Sequence, residues 1–280
     1  MDKLFERAES LRRREGHALS AHSIPSIRLW QGPRRLELRL GEDYYTVRAE
    51  KSGENVWFFP CGSEEGKLRF LSEHASEPDL ILRYLRAEDA AWLEARFPGK
   101  FSLLRRPGDD EYLYLRGRHV AMEGGRFRHL RQRLSKIQRE LAPRTELLGE
   151  QNTTDARRVL DAWASAHPAW GADDRLVTLE ALERREELGL HGVMVYLDGR
   201  PAAFMMGFPL TRDTFDAAVG KWAADVQGLT YYVLRELMLS LPESYEWFNL
   251  EEDLGLPGLR EMKRHFLPDG KNELWEARRL

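Results

Sequence analysis

The sequence predicts a mixed α+β chain of two tandem halves, each a mixed, mostly antiparallel sheet flanked by helices. Three observations predict it. Short β-rich runs bounded by Gly, Asp and Asn turns alternate with segments of helical periodicity. The order β-β-β-α-β-α-β is read twice, over residues 35–106 and 191–278. The two runs also end alike: Leu82-Arg83-Tyr84-Leu85-Arg86-Ala87-Glu88-Asp89 leads to Arg96-Phe97-Pro98-Gly99-Lys100-Phe101, and Phe248-Asn249-Leu250-Glu251-Glu252-Asp253 leads to His265-Phe266-Leu267-Pro268-Asp269-Gly270-Lys271. A period this long is a duplicated domain, since a solenoid repeats every ~20–50 residues. The expected division is 1–120 and 121–280.

The elements follow from local chemistry. Residues 2–16 carry Leu4, Phe5, Ala8 and Leu11 on one helical face, and Arg12-Arg13-Arg14 then reads as a solvated run. Residues 17–33, with Pro25, Gly32 and Pro33, read as irregular. Strands are expected at 36–40, 44–49 and 55–60, a helix at 63–75, a strand at 80–85, a helix at 88–97, and strands at 101–105 and 111–115. In the linking region Phe127, Leu130, Leu134, Ile137 and Leu141 fall at offsets 0, 3, 7, 10 and 14, one stripe of a helix. A strand at 145–148 and helices at 154–166 and 176–188 follow, with 167–171 as a loop. The second half opens on a hairpin, Gly192 to Leu197, then Asp198-Gly199, then Pro201 to Leu210, because both turn positions tolerate positive φ. A third strand (214–222), the loop Asp225-Val226-Gln227-Gly228-Leu229-Thr230, a helix (231–241) and a strand (245–250) complete the pattern before Glu251-Glu252-Asp253.

Composition narrows the function. The chain has 280 residues, 42% of them hydrophobic, enough for about two packed domains. No apolar run approaches the ~20 residues that cross a bilayer. Residues 1–16 are charged and helical, unlike a signal peptide, so a cytoplasmic location is expected. Cys61 is the single cysteine, which excludes an internal disulfide and a cysteine-based metal site. With a net charge of −3, polyanion binding has to come from a local patch.

The hairpin, third strand, helix and strand order is that of the N-acyltransferase (GNAT-like) fold. There the fourth and fifth strands splay, and the loop before the helix is an anion site. Coenzyme A enzymes carry Gln/Arg-x-x-Gly-x-Gly/Ala in that loop. Here Gln227-Gly228-Leu229-Thr230 has one glycine and Asp225 repels a pyrophosphate, so coenzyme A is disfavoured and no cofactor is expected. The acids Glu251, Glu252 and Asp253 follow a strand end, where open α/β sheets place sites. They read either as a proton acceptor or ammonium anchor, or as caps favouring the positive end of the next helix. Lys221 ends the third strand, and reads as a carbonyl or phosphate holder or as a surface lysine. The helix at 126–140 carries Arg126, Arg128, Arg131, Arg133, Lys136 and Arg139 with His129 beside its apolar stripe. A phosphate backbone would explain that single sign of charge, and a solvated face is the alternative. Tyr231 reads as a base-stacking ring or a core residue. His167 and His191 read as structural, and no metal-ligand set is present.

Three stretches carry a resemblance: Leu190-His191-Gly192-Val193 through Asp198-Gly199-Arg200-Pro201-Ala202-Ala203-Phe204; Gly220-Lys221-Trp222-Ala223-Ala224-Asp225; and Phe248-Asn249-Leu250-Glu251-Glu252-Asp253-Leu254-Gly255-Leu256-Pro257-Gly258-Leu259-Arg260 with Lys263. They resemble a bacterial family related to the C-terminal catalytic domain of phosphatidylglycerol lysyltransferase, over roughly residues 110–280. The resemblance implies two tandem acyltransferase-like domains, as in Fem-type aminoacyltransferases, and transfer of an amino acid from aminoacyl-tRNA to an amine or hydroxyl acceptor. The chain departs from the family at Arg128, where a His is expected, and at Gln132, where an Asn is. It also lacks the large transmembrane part of the lipid enzymes.

An aminoacyl ester is already activated, so the enzyme holds the acceptor, removes its proton and stabilises an oxyanion. The implied roles are base or ammonium anchor for Glu252 or Asp253, carbonyl or terminal-phosphate contact for Lys221, and orientation for Asn249. Substrate binding falls to Arg126, Arg128, Arg131, Lys136, Asp225, Tyr231 and Glu251. The rival readings are an acyl-coenzyme A N-acyltransferase and a non-catalytic binding protein that keeps the double fold.

Overall fold

The computed structural model describes every residue except 1, 52, 169, 170 and 224. The chain runs α1 (Lys3–Arg14), α2 (Ile24–Trp30), β1 (Leu36–Leu40), β2 (Tyr44–Lys51), β3 (Glu54–Phe58), β4 (Cys61–Gly62), α3 (Glu64–His74), β5 (Leu80–Leu85), α4 (Ala87–Arg96) and β6 (Phe101–Arg105). It continues through β7 (Glu111–Leu115), α5 (Arg116–Ala121), α6 (Arg128–Glu140), β8 (Arg144–Leu147), α7 (Thr153–Ala166) and α8 (Gly171–Glu183). It closes with β9 (His191–Leu197), β10 (Arg200–Pro209), β11 (Thr214–Trp222), α9 (Leu229–Ser240), β12 (Trp247–Asn249), α10 (Pro257–His265), β13 (Gly270–Asn272) and β14 (Trp275–Arg279).

Two compact units form. The first holds Met1–Glu111, Glu252–Arg260 and Lys271–Leu280; the second holds Tyr112–Glu251 and Glu261–Gly270. Sequence order alone places the division at 120/121. Strand pairing shifts it and interleaves the chain. In the first sheet, β1-β2-β3-β5-β14-β6, the last strand of the chain lies between β5 and β6. In the second, β13-β7-β12-β11-β10-β9-β8, β7 lies between β12 and β13. Apart from β8, the sheets repeat one order: three antiparallel strands, a parallel neighbour, an inserted strand and an edge strand. The parallel pairs β3/β5 and β11/β12 occupy the same place in each. The duplication legible in the sequence is therefore a duplicated sheet topology, and each sheet is mixed and flanked by helices.

In the first unit, Phe5, Ala8, Leu11, Ile24 and Ile27 pack with Leu38, Tyr45 and Val47 of the sheet. Phe70, Leu71, Leu80, Leu82 and Leu93 fill a second core cluster. Two sequence expectations change here. Residues 24–30 are helical because Pro25 sits in the first turn, where a missing N–H is harmless, and the Ser23 hydroxyl caps the Ser26 N–H at 3.2 Å. Arg12 is not solvated. It is 2% exposed, donates to the Glu9 carboxylate at 2.8 Å and to the His17 carbonyl at 2.7 Å, and so turns the end of α1 inward.

In the second unit the α6 stripe is buried as expected, with Phe127, Leu130, Leu134 and Ile137 packed among residues of β9, β10 and α9. The Asp198-Gly199 turn has φ of 48° and 75°, the twisted two-residue hairpin its sequence encodes. Helix α8 begins at Gly171, earlier than expected, with Asp173 and Asp174 in its first turn. Ala169 and Trp170 of the expected 167–171 loop lie outside the described residues, as does Ala224 of the resemblance. The short helix α5, absent from the sequence reading, carries His119, whose Nδ1 lies 2.8 Å from the Tyr231 hydroxyl and whose Nε2 lies 3.1 Å from Asp269. Asp269 also pairs with Arg118 at 2.6 Å and takes the Leu115 N–H at 2.9 Å. Tyr231 is 1% exposed, so its ring offers no face to a base; it is a core residue.

Candidate functional site

The site of the second unit arises from unequal strand lengths. Parallel pairing of β11 with β12 ends at Asp216↔Asn249, while β11 continues to Trp222. β11 and β12 therefore part beyond residue 216. A register shift in β10/β11 decides what lines the parting. Phe204 pairs with Lys221, Met206 with Val219 and Phe208 with Asp216. Cross-strand partners share a face, so the shift puts Asp216, Val219 and Lys221 on one side, and Asn249 joins them through Asp216. Gly207 permits it, since a Cβ there would lie 1.7 Å from the Asp216 carbonyl oxygen.

Lys221 is the centre of this face. It is 5% exposed, and its Nζ lies 3.2 Å from an Asp174 carboxylate oxygen on α8 and 4.6 Å from the centroid of the Trp163 ring on α7. His167 stacks on Trp163 with ring centroids 4.7 Å apart and planes at 19°. Burial pulls the Lys221 ammonium below the ordinary lysine range, while Asp174 and Glu251 push it back up. Asn249 is fully buried, and its Oδ1 accepts the Glu251 N–H at 2.8 Å. Glu251 sits at φ 58°, a left-handed conformation rare for a residue with a Cβ. The structure thus brings Lys221, Asn249 and Glu251 together in the second unit.

Glu252 and Asp253 belong to the first unit. Asp253 is fully buried, accepts from Arg260 Nε at 2.9 Å and Nη2 at 3.0 Å, and takes the Gly255 N–H at 2.9 Å. A carboxylate so engaged, with two charge-assisted bonds and a turn amide, ties the turn before α10 to that helix. Glu252 is half-buried and its charge acts on Tyr84, whose hydroxyl is pushed up to about 12, mainly by burial.

The cations of α6 divide into two kinds. Arg126 donates to the Leu267 carbonyl at 2.7 Å and lies 3.5 Å from Asp269; Arg131 donates to the carbonyls of Gly124, at 2.8 Å, and Met122. Both fasten the start of the helix. Lys136 stays 70% exposed, with Glu140 at 3.9 Å. Arg128, Arg131, Gln132, Ser135 and Arg139 line a surface groove of ≈310 Å³. Asp225 is exposed in the loop before α9. That helix starts at Gly228, at φ 94°, where a Cβ would meet the Arg133 Cβ at 2.9 Å.

Sequence reasoning missed Asp174, Trp163 and Asp216. Asp216 carried a signal, an acid inside an apolar strand. Asp174 carried none, because it lay outside the expected helix. Among the described residues no group of three or more His, Cys, Asp or Glu side chains is placed to hold a metal, and no helix is long and apolar enough to cross a membrane.

Comparison with solved structures shows the same fold across whole chains. A conserved protein of unknown function from Bacteroides thetaiotaomicron superposes with a TM-score of 0.90 at 21% identity, covering 98% of this chain and 96% of that one. The C-terminal domain of a putative lysylphosphatidylglycerol synthetase from Agrobacterium fabrum gives 0.71 at 17% identity, covering 99% and 91%. FemX gives 0.71 at 7% identity, covering 100% and 97%. A comparison with curated proteins gives no match. The family profile described as phosphatidylglycerol lysyltransferase, C-terminal, matches residues 12–277, nearly the whole chain. The chain belongs to that family, in a tandem acyltransferase-like, Fem-like fold.

Proposed function

We propose that this chain is an aminoacyltransferase that moves an amino acid from aminoacyl-tRNA to an amine or hydroxyl acceptor, without coenzyme A, at the parting of β11 and β12. The observation that carries the reading is the buried Lys221 ammonium, paired with Asp174 at 3.2 Å where β11 outruns β12, with the Glu251 charge also acting on it. The acceptor nitrogen or oxygen attacks the ester carbonyl, the tRNA hydroxyl leaves, and the acceptor's proton passes to a base. Lys221 stabilises the oxyanion or holds the terminal phosphate. In this low-dielectric setting a fixed positive charge acts more strongly than in water. Glu251 takes the proton or anchors the ammonium group of the aminoacyl moiety. The role falls to Glu251, because Asp253 is already bonded to Arg260 and Glu252 belongs to the first unit.

The groove of α6, with Arg128 and Arg139, supplies phosphate contacts. The single glycine of the Gln227-Gly228-Leu229-Thr230 loop and the charge of Asp225 speak against a coenzyme A pyrophosphate. A pull-down with charged tRNA over a salt series tests the reading. Binding that weakens linearly in log–log form as salt rises is expected. Absence of binding at low salt overturns it.

A further inference from the structure

We infer that Lys263 is a positioning residue for this site: its ammonium holds the left-handed turn that sets Glu251 beside Asn249 at the end of β12. The inference rests on the reading that Lys221 and Glu251 face the reacting ester. Lys263 lies on α10, far along the chain, and is 4% exposed. A buried ammonium is costly unless fully bonded. This one donates to the Leu250 carbonyl and, at 2.9 Å, to the Glu251 carbonyl, and lies 5.6 Å from the centroid of the Tyr112 ring. Its own backbone carbonyl accepts the Tyr114 hydroxyl at 2.8 Å, which fixes the helix turn that carries it.

The Glu251 peptide groups are therefore clamped on both sides. The N–H donates to Asn249 Oδ1 at 2.8 Å; the carbonyl accepts from Lys263 and from the Tyr112 N–H at 3.1 Å. A left-handed non-glycine residue costs about 1–3 kcal/mol and persists where its surroundings over-determine it. These three bonds supply that determination. The turn follows the end of β12, and the Glu251 charge acts on Lys221 together with that of Asp174. The charges acting on Lys221 are Asp174 of α8 and Glu251; Trp163 of α7 and the Gly220 carbonyl, at 3.2 Å, are its neutral neighbours.

The test is an NMR titration of Lys221 in [13Cε]lysine-labelled full chain, with the resonance assigned through Lys221→Arg. Glu251→Gln is expected to lower the Lys221 midpoint by about one pH unit. Lys263→Met is expected to lower it as much, and the double variant no further, since both act through one carboxylate. If Lys263 serves stability alone, Lys263→Met melts earlier while Lys221 titrates as in the wild type; that overturns the inference. Should Lys263→Met fail to fold, Asn249→Ala opens the other side of the clamp, and an unmoved Lys221 midpoint there overturns it as well. Transfer activity is scored separately. Coupling without transfer supports the clamp and sinks the functional reading. Transfer lost in Lys221→Met, with no coupling to Lys263 or Asn249, leaves the function standing and sinks the clamp.

Discussion

At the scale of the residue, three carboxylates in a row have three different fates, decided by what each meets. Glu251 is held in a left-handed turn by Asn249 and Lys263 and acts on Lys221. Glu252 acts on Tyr84. Asp253 is bonded to Arg260 and Gly255. The motif was legible as a strand-end acid cluster, and the fates were not, because they depend on the left-handed turn at Glu251 and on which partners, from Gly255 to Tyr84, the fold brings to each carboxylate. Arg260→Ala leaves a buried carboxylate without its cation and is expected to cost about 3 kcal/mol, read as a lowered urea midpoint. Asp174→Asn removes one of the two charges that hold Lys221 protonated against burial. The Lys221 midpoint is expected to fall, in the same titration that tests Lys263.

At the scale of the element, α6 is an apolar stripe with cations fixed along its outer face. The stripe was legible from periodicity alone. Which cations remain available was not, since Arg126, just before α6, and Arg131, within it, both donate to carbonyls outside that helix. Arg128→Ala and Lys136→Ala are each expected to weaken charged-tRNA binding and reduce the salt slope by about one. Arg13→Ala, on the exposed end of α1, serves as the control and is expected to leave the slope unchanged. Equal losses at Arg13 and Arg128 would show that α6 has no special part. Gly228→Ala tests the start of α9. Its φ of 94° and the 2.9 Å approach of Arg133 make a cost of about 1–2 kcal/mol expected in thermal unfolding.

At the scale of the whole molecule, the duplication was legible because turn residues and hydrophobic periods repeat in the same order. The strand exchange was not. Placing β14 between β5 and β6, and β7 between β12 and β13, needs pairing partners that local patterns do not encode. Acid sensitivity is a second molecular property. His22 and His119 are drawn down to about 4 by burial, and His17 is also drawn down by burial, then by its neighbour His22. Their folded values lie below the unfolded ones, so the stabilisation is complete above about pH 6.5 and is lost progressively as pH falls toward 4. Unfolding free energies from urea titrations at pH 7 and pH 4.5 are expected to differ by on the order of 3 kcal/mol per histidine at most. A flat profile would mean that these rings are not buried as neutral groups.

The central claim is that Lys221 and Glu251 serve aminoacyl transfer, and single-turnover loss of a radiolabelled amino acid from charged tRNA tests it most directly. With a mixture of amine and hydroxyl acceptors, the wild-type chain is expected to move label from tRNA to acceptor. Lys221→Met is expected to slow that step by about 10²–10³-fold, the usual loss when one oxyanion donor is removed. Glu251→Gln is expected to slow it too, with tRNA binding retained in both variants. Transfer at the wild-type rate in Lys221→Met would contradict the assignment of the site.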